Sequence, residues 1–109
     1  MSGLPPVTHL QFLILDALDG TERAGRDLRA LLAAHSVKNS APAFYQMMGR
    51  LEDAGLVDGR YDQRVVAGQH LKERSYRITR AGIRAAAETR AFYAKPLASA
   101  RLAAKGSRG

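Results

Sequence analysis

The chain has 109 residues, 46% of them hydrophobic and 25% charged, with no cysteine, no tryptophan and a formal net charge of +7. That is enough for one folded domain burying roughly two-thirds of its unfolded surface, and it excludes a disulfide scaffold, thiolate metal sites and thiol catalysis. Apolar runs reach only about four residues, as in Phe12-Leu13-Ile14-Leu15, so no membrane span is expected, and the lack of a basic stretch leading into an apolar segment near Met1 points to a cytoplasmic location.

Residues 1–7, with Pro5-Pro6, read as a flexible lead-in. Thr8-His9-Leu10-Gln11 has capping-box spacing and opens a helix expected to run to about Leu18, before Gly20. Leu10, Leu13, Ile14 and Ala17 share one face, while Phe12 and Leu15 lie on the other. A helix apolar on two faces needs cover on both, which points to a second copy of the chain. A second helix is expected from about Ala24 to His35, with Leu28, Leu31 and Leu32 on its inner stripe. After the turn at Ser36–Ser40, Ser40 caps a third helix, Pro42 is tolerated in its first turn, and Gly55 follows its end at about Ala54. Val57–Tyr61 has strand character, a turn surrounds Ala67-Gly68-Gln69, and Arg74–Ile78 forms the returning strand. Thr79 caps a fourth, alanine-rich helix over 80–94, and Pro96 is expected to interrupt it. The chain therefore divides into a lead-in (1–7), a domain (8–94) and a basic flexible tail (95–109).

Two helices joined by a short turn and followed by a β-hairpin give the winged helix-turn-helix plan. The expected class is mainly α with a small β-hairpin (α+β), in the order helix-helix-helix-hairpin-helix. Phe44, Met47, Met48 and Leu51 fall on one face of the third helix and read as core. The opposite face carries Pro42, Tyr45, Gln46, Gly49, Arg50 and Asp53, with Lys38 and Asn39 just before the helix. Such a face suits a major groove. Gln46 can pair with adenine, Arg50 can reach guanine or phosphate, Tyr45 can donate to phosphate, and Ser40 lies where helix amides meet phosphate. The alternative for Gln46 and Arg50 is a plain solvated face. On the hairpin, Arg64 and Lys72 would follow the backbone or minor groove, the alternative being a mixed-charge exposed hairpin with Asp62 and Glu73.

Three blocks carry a family resemblance: Ser40-Ala41-Pro42-Ala43-Phe44-Tyr45, Arg50-Leu51-Glu52-Asp53-Ala54-Gly55-Leu56-Val57, and Tyr76-Arg77-Ile78-Thr79-Arg80-Ala81-Gly82. With them the chain resembles the PadR family of bacterial transcriptional regulators from about Leu10 to Ala94. The resemblance implies a repressor that binds a two-fold operator in double-stranded DNA as a homodimer, with the positions of Ser40 and Tyr45 toward the DNA backbone. It also allows a small-molecule effector, whose identity is left open. The sequence departs from the family at Arg26, where an aromatic residue is frequent after Gly25, at Gln46, where proline commonly follows the tyrosine, and at Gly68-Gln69-His70-Leu71, which replaces a Pro-Arg stretch.

Phe12 and Leu15 on the first helix, with Ala85 and Phe92 on the fourth, are the expected homodimer interface. His9, His35 and His70 sit in separate elements without metal-ligand spacing, and no phosphate-binding loop, dinucleotide fingerprint or nucleophile elbow occurs. No enzymatic activity, metal or cofactor is expected. The competing reading is a winged-helix protein–protein interaction module. Residues 95–109 hold four of the cations and no acid, so the remaining 94 residues have 13 basic and 10 acidic side chains, net +3. Where the domain's few cations lie therefore matters more than the total charge.

Overall fold

Thr8 accepts from the Gln11 amide at 3.2 Å while the Gln11 side chain accepts from the Thr8 amide at 3.0 Å, closing both halves of the capping box. From this cap, a computed structural model describes residues 4–106, with side-chain surroundings for 4–94. The elements are α1 (His9–Ala17), β1 (Arg23–Ala24), α2 (Gly25–Ala34), α3 (Ala41–Asp53), β2 (Val57–Val66), β3 (Gln69–Ile78) and α4 (Arg80–Gly106). The strands form one antiparallel sheet in the order β1-β3-β2. This is a winged-helix arrangement, α+β in class, with β2 and β3 as the wing.

The short strand β1 is absent from the sequence expectation. It pairs Arg23 with Tyr76 and Ala24 with Ser75, and two residues are too few for any alternation to be read. Arg23 also donates its Nε to the Ala17 carbonyl at 2.6 Å, satisfying one of the acceptors that a helix end leaves open. The wing is longer than expected, with ten residues in each strand. Ala67 and Gly68, with φ of 51° and 78°, form a two-residue turn whose positive dihedrals match the right-handed twist of the strands. Beyond Tyr61 most of the wing is exposed on both faces, so no burial imposes a hydrophobic pattern on those residues.

The core is built from Ile14, Leu15 and Leu18 of the α1 region, Leu28 and Leu32 of α2, Phe44, Met48 and Leu51 of α3, and Val57 and Tyr76 of the sheet. Met47 is only partly buried at its edge. Val7, assigned by sequence to the lead-in, is buried in the same cluster. Two expectations for the dimer surface are overturned here: Leu15 is 0% exposed and Ala85 only 7% exposed within the chain's own core. The physical reason is that the inward stripe of α1 is centred on Ile14, Leu15 and Leu18, which a helix brings together at a spacing of three and four. Phe12 and Phe92 are half-buried; the Arg90 guanidinium lies 5.5 Å from the Phe12 ring centre and pairs with Asp16 at 3.0 Å.

Helix α4 does not stop near Ala94 but continues through Pro96 to Gly106. A proline removes one helical hydrogen bond and costs about 3 kcal/mol, and the many alanines on either side offset that with high intrinsic propensity. Positions 95–106 of the expected tail are thus helical, whereas 107–109, and 1–3 of the lead-in, lie outside the described residues. Among the described residues no helix is long and apolar enough to cross a membrane.

Thr79 ties the start of α4 to the turn after α3. Its hydroxyl donates to the Gly55 carbonyl at 2.7 Å and accepts from the Gly82 amide at 3.0 Å, and its own amide donates to the Leu56 carbonyl at 3.1 Å. These bonds fix how the wing leaves the helical body.

Candidate nucleic-acid interface

Helix α3 owes its position to its cap and its core stripe. Ser40 Oγ accepts from the Ala43 amide at 3.2 Å, and Phe44, Met48 and Leu51 are buried. At about 100° per residue this turns Pro42, Gln46, Arg50 and Asp53 directly outward, and all four are exposed. Among the described residues Arg50 has no ion-pair partner. Lys38 and Asn39 precede the cap and, with Arg29 of α2, line a small cavity of about 190 Å³. Among the described residues the Arg29 Nε is a buried donor without a partner, a condition that costs free energy.

Tyr45 lies toward the wing rather than on the outermost stripe. A methyl group added at Gly25 would sit 2.8 Å from the Tyr45 hydroxyl, so the tyrosine crosses the start of α2, and its ring meets Phe44 edge-on at 5.0 Å. Two turns further along the same face, Glu52 bonds to Arg74 of β3. The Arg74 guanidinium stacks 4.7 Å from the Tyr61 ring centre and 5.8 Å from that of Tyr76. Gly59 leaves room for the Glu52–Arg74 pair, because a side chain there would collide with both partners.

Between α3, the start of α2 and the wing lies a cleft of about 580 Å³, whose walls include Tyr45, Arg64 and Lys72. Arg64, expected to follow the DNA backbone or minor groove with a mixed-charge hairpin as the alternative, bonds to Glu73 at 2.8 Å, and the same carboxylate binds Arg26 at 2.8 Å. The Glu73 hydrogen bond, followed by its charge, raises the Arg64 pKa. Lys72 is exposed and has no ion-pair partner among the described residues. The structure thus gathers Tyr45, Arg64 and Lys72 around the cleft. Lys38, Asn39 and Ser40 cluster at the α3 N-terminus, and Gln46 and Arg50 occupy the outward stripe. Sequence reasoning missed Arg26, Arg29, Tyr61 and Arg74. The wing register, which pairs Tyr61 with Arg74, is the signal that could have located the last two. Among the described residues no group of three His, Asp or Glu is placed to hold a metal ion.

Burial pushes the Tyr76 phenol up to about 12, with a smaller contribution from the Glu52 charge. A phenol raised from about 10 favours its neutral form in the fold, so this stability is fully present below about pH 10 and is lost as pH rises toward 12. Two pH units correspond to about 2–3 kcal/mol. One pH unit is about 1.4 kcal/mol, so between about pH 8 and about pH 11 the native chain should lose about 1.4 kcal/mol from this group and Tyr76→Phe should not. An ultraviolet titration should show a late-ionising phenol that Tyr76→Phe lacks.

No family model matches the sequence, and no curated protein matches it. Solved structures do. A PadR family transcriptional regulator from Eggerthella lenta superposes with a TM-score of 0.69 at 27% identity, over 84% of this chain and 77% of that one. A PadR-like transcription factor from Bacteroides fragilis gives 0.70 at 16% identity, over 84% and 86%. Bacillus subtilis PadR in complex with operator DNA gives 0.60 at 22% identity, over 72% of this chain but only 44% of that regulator. The last two likenesses are of fold.

Proposed function

We propose, on the premise that this chain is a PadR-like winged-helix protein, that it is a transcriptional regulator binding duplex DNA as a homodimer and represses by occupying a two-fold operator. The observation that carries the reading is the outward stripe of α3. Gln46 and Arg50 are exposed there, Arg50 without an ion-pair partner among the described residues, and Lys38, Asn39 and the Ser40 cap stand at the end that would enter a groove first. In this reading Gln46 and Arg50 address base edges, while Lys38, Ser40, Tyr45, Arg64 and Lys72 address the backbone. The unsatisfied Arg29 Nε beside Lys38 and Asn39 supports an acceptor at that end of the helix.

The dimer keeps Phe12 and Phe92 as contacts, joined by Ile83 and Tyr93, which are 50% and 40% exposed. Leu15 and Ala85 have no part in it. A protein-docking module is favoured by one observation, the exposed Val65, Val66 and Leu71 at the wing tip.

Titration of labelled genomic fragments at several salt concentrations, with sedimentation of the same samples, separates the two readings. Three to four phosphate contacts per protomer imply a slope of log K against log salt of about −5 to −7 for a dimer. A salt-independent signal, or none with any fragment, would sink the DNA reading, and a monomer at about ten times the binding midpoint would sink the dimer.

A further inference from the structure

Arg26 belongs to no element of the DNA reading given so far, yet it shares a carboxylate with the wing. Arg26 Nε and Arg64 Nη1 each lie 2.8 Å from a different oxygen of Glu73. The side chains of the two arginines are 54% and 43% exposed, whereas that of Glu73 is only 14% exposed. One anion, largely covered, therefore holds two half-exposed cations from separate elements side by side. A guanidinium has five N–H donors, and the bonds to Glu73 use one on each arginine. Among the described residues neither arginine has a second ion-pair partner for its remaining donors. Two positive charges and one negative leave the cluster at +1, matching a single phosphodiester.

We propose that Arg26 and Arg64 form one seat for a backbone phosphodiester of duplex DNA, with Glu73 as the positioning residue that keeps the two guanidinium groups together. This rests on the DNA reading above and adds to it a contact from α2. Tyr45 and Lys72 line the same cleft, so the seat lies where α3 and the wing meet. Asp27, whose charge also reaches Arg64, limits the attraction to close range and makes geometry matter more than net charge.

The sign of one substitution separates this seat from simple electrostatics. Glu73→Gln removes a negative charge, and by charge alone it should tighten DNA binding. If Glu73 positions the arginines, the variant instead binds about 3- to 10-fold more weakly. Glu88→Gln, an equal change of charge on exposed α4, serves as the control and should not weaken binding. Binding of a defined duplex, measured across salt concentrations on variants with matched thermal melts, supplies the second readout. Arg26→Ala and Arg64→Ala should each make the salt slope shallower by about 0.9 per protomer, and the double variant by the same 0.9, because both side chains hold one phosphate. Tighter binding by Glu73→Gln, an unchanged slope for Arg26→Ala, or a double-variant loss near twice the single one overturns the seat while leaving the DNA reading intact. A wild-type chain that binds no duplex at any salt overturns both.

Discussion

Gly82→Ala is expected to cost about 3 kcal/mol of stability, in the range of overpacking a close contact together with the loss of neighbouring hydrogen bonds. Intrinsic propensity alone predicts the reverse, because alanine in place of a helical glycine gains about 0.5–1 kcal/mol. The surroundings decide. A methyl group on Gly82 would overlap the Leu56 carbonyl oxygen, which is backbone, and would stand 2.7 Å from Ile78 Cγ1. Neither can swing aside as the end of a long side chain would. Relief requires α4 to draw back from the start of β2, and that stretches the Thr79 bonds to Gly55 and Leu56. Gly49→Ala supplies the contrast. It sits within α3 with nothing inside 4 Å of the added carbon, and it should gain about 0.5–1 kcal/mol. Thermal melts followed by far-ultraviolet circular dichroism check both, with a fall of about 10–20 °C for the first and a small rise for the second. Equal behaviour of the two variants would refute the packing of α4 against Leu56.

The same contrast explains which features can be read from the residues alone. Thr8, Ser40 and Thr79 announce helix starts because each cap bonds within three residues, and Phe44, Met48 and Leu51 announce the buried face of α3 because helical spacing is local. The extra apolar face of α1 misleads, since periodicity says that Leu15 needs cover without saying that the chain's own helices provide it. Pro96 misleads differently, because one lost bond is weighed against a long alanine-rich neighbourhood. In the candidate interface, the exposure of Gln46 and Arg50 follows from helical geometry and is legible. The pairing of Arg64 is not. Its partner is Glu73, nine residues away across the wing turn, and that carboxylate is shared with Arg26, from a helix more than thirty residues earlier. A cation count along the sequence treats Arg64 and Lys72 alike, whereas the fold pairs one and leaves the other open.

If the proposed DNA reading holds, Gln46→Ala and Arg50→Ala should reduce operator affinity far more than affinity for unrelated duplex. A bidentate contact to a base edge is worth about 1–3 kcal/mol. In a symmetric dimer each substitution removes it from both half-sites, so about 2–6 kcal/mol is at stake, or roughly 30-fold to 20,000-fold. The two residues are not equivalent probes. Gln46 carries no charge, so its loss should leave the salt slope unchanged and appear only as specificity. Arg50 can serve a base or a phosphate, and the slope tells which: unchanged for base readout, shallower by about 0.9 per protomer for phosphate. Asp53, two turns along the stripe from Gln46 and exposed, would set the orientation in the proposed complex, since its carboxylate would repel phosphate and leave the N-terminal half of α3 as the end that can approach closely. Asp53→Asn should therefore be nearly silent on operator choice while Gln46→Ala is not. Equal losses on operator and unrelated DNA for both Gln46→Ala and Arg50→Ala would mean that α3 rests on the backbone. Specificity would then have to come from the shape of the duplex instead.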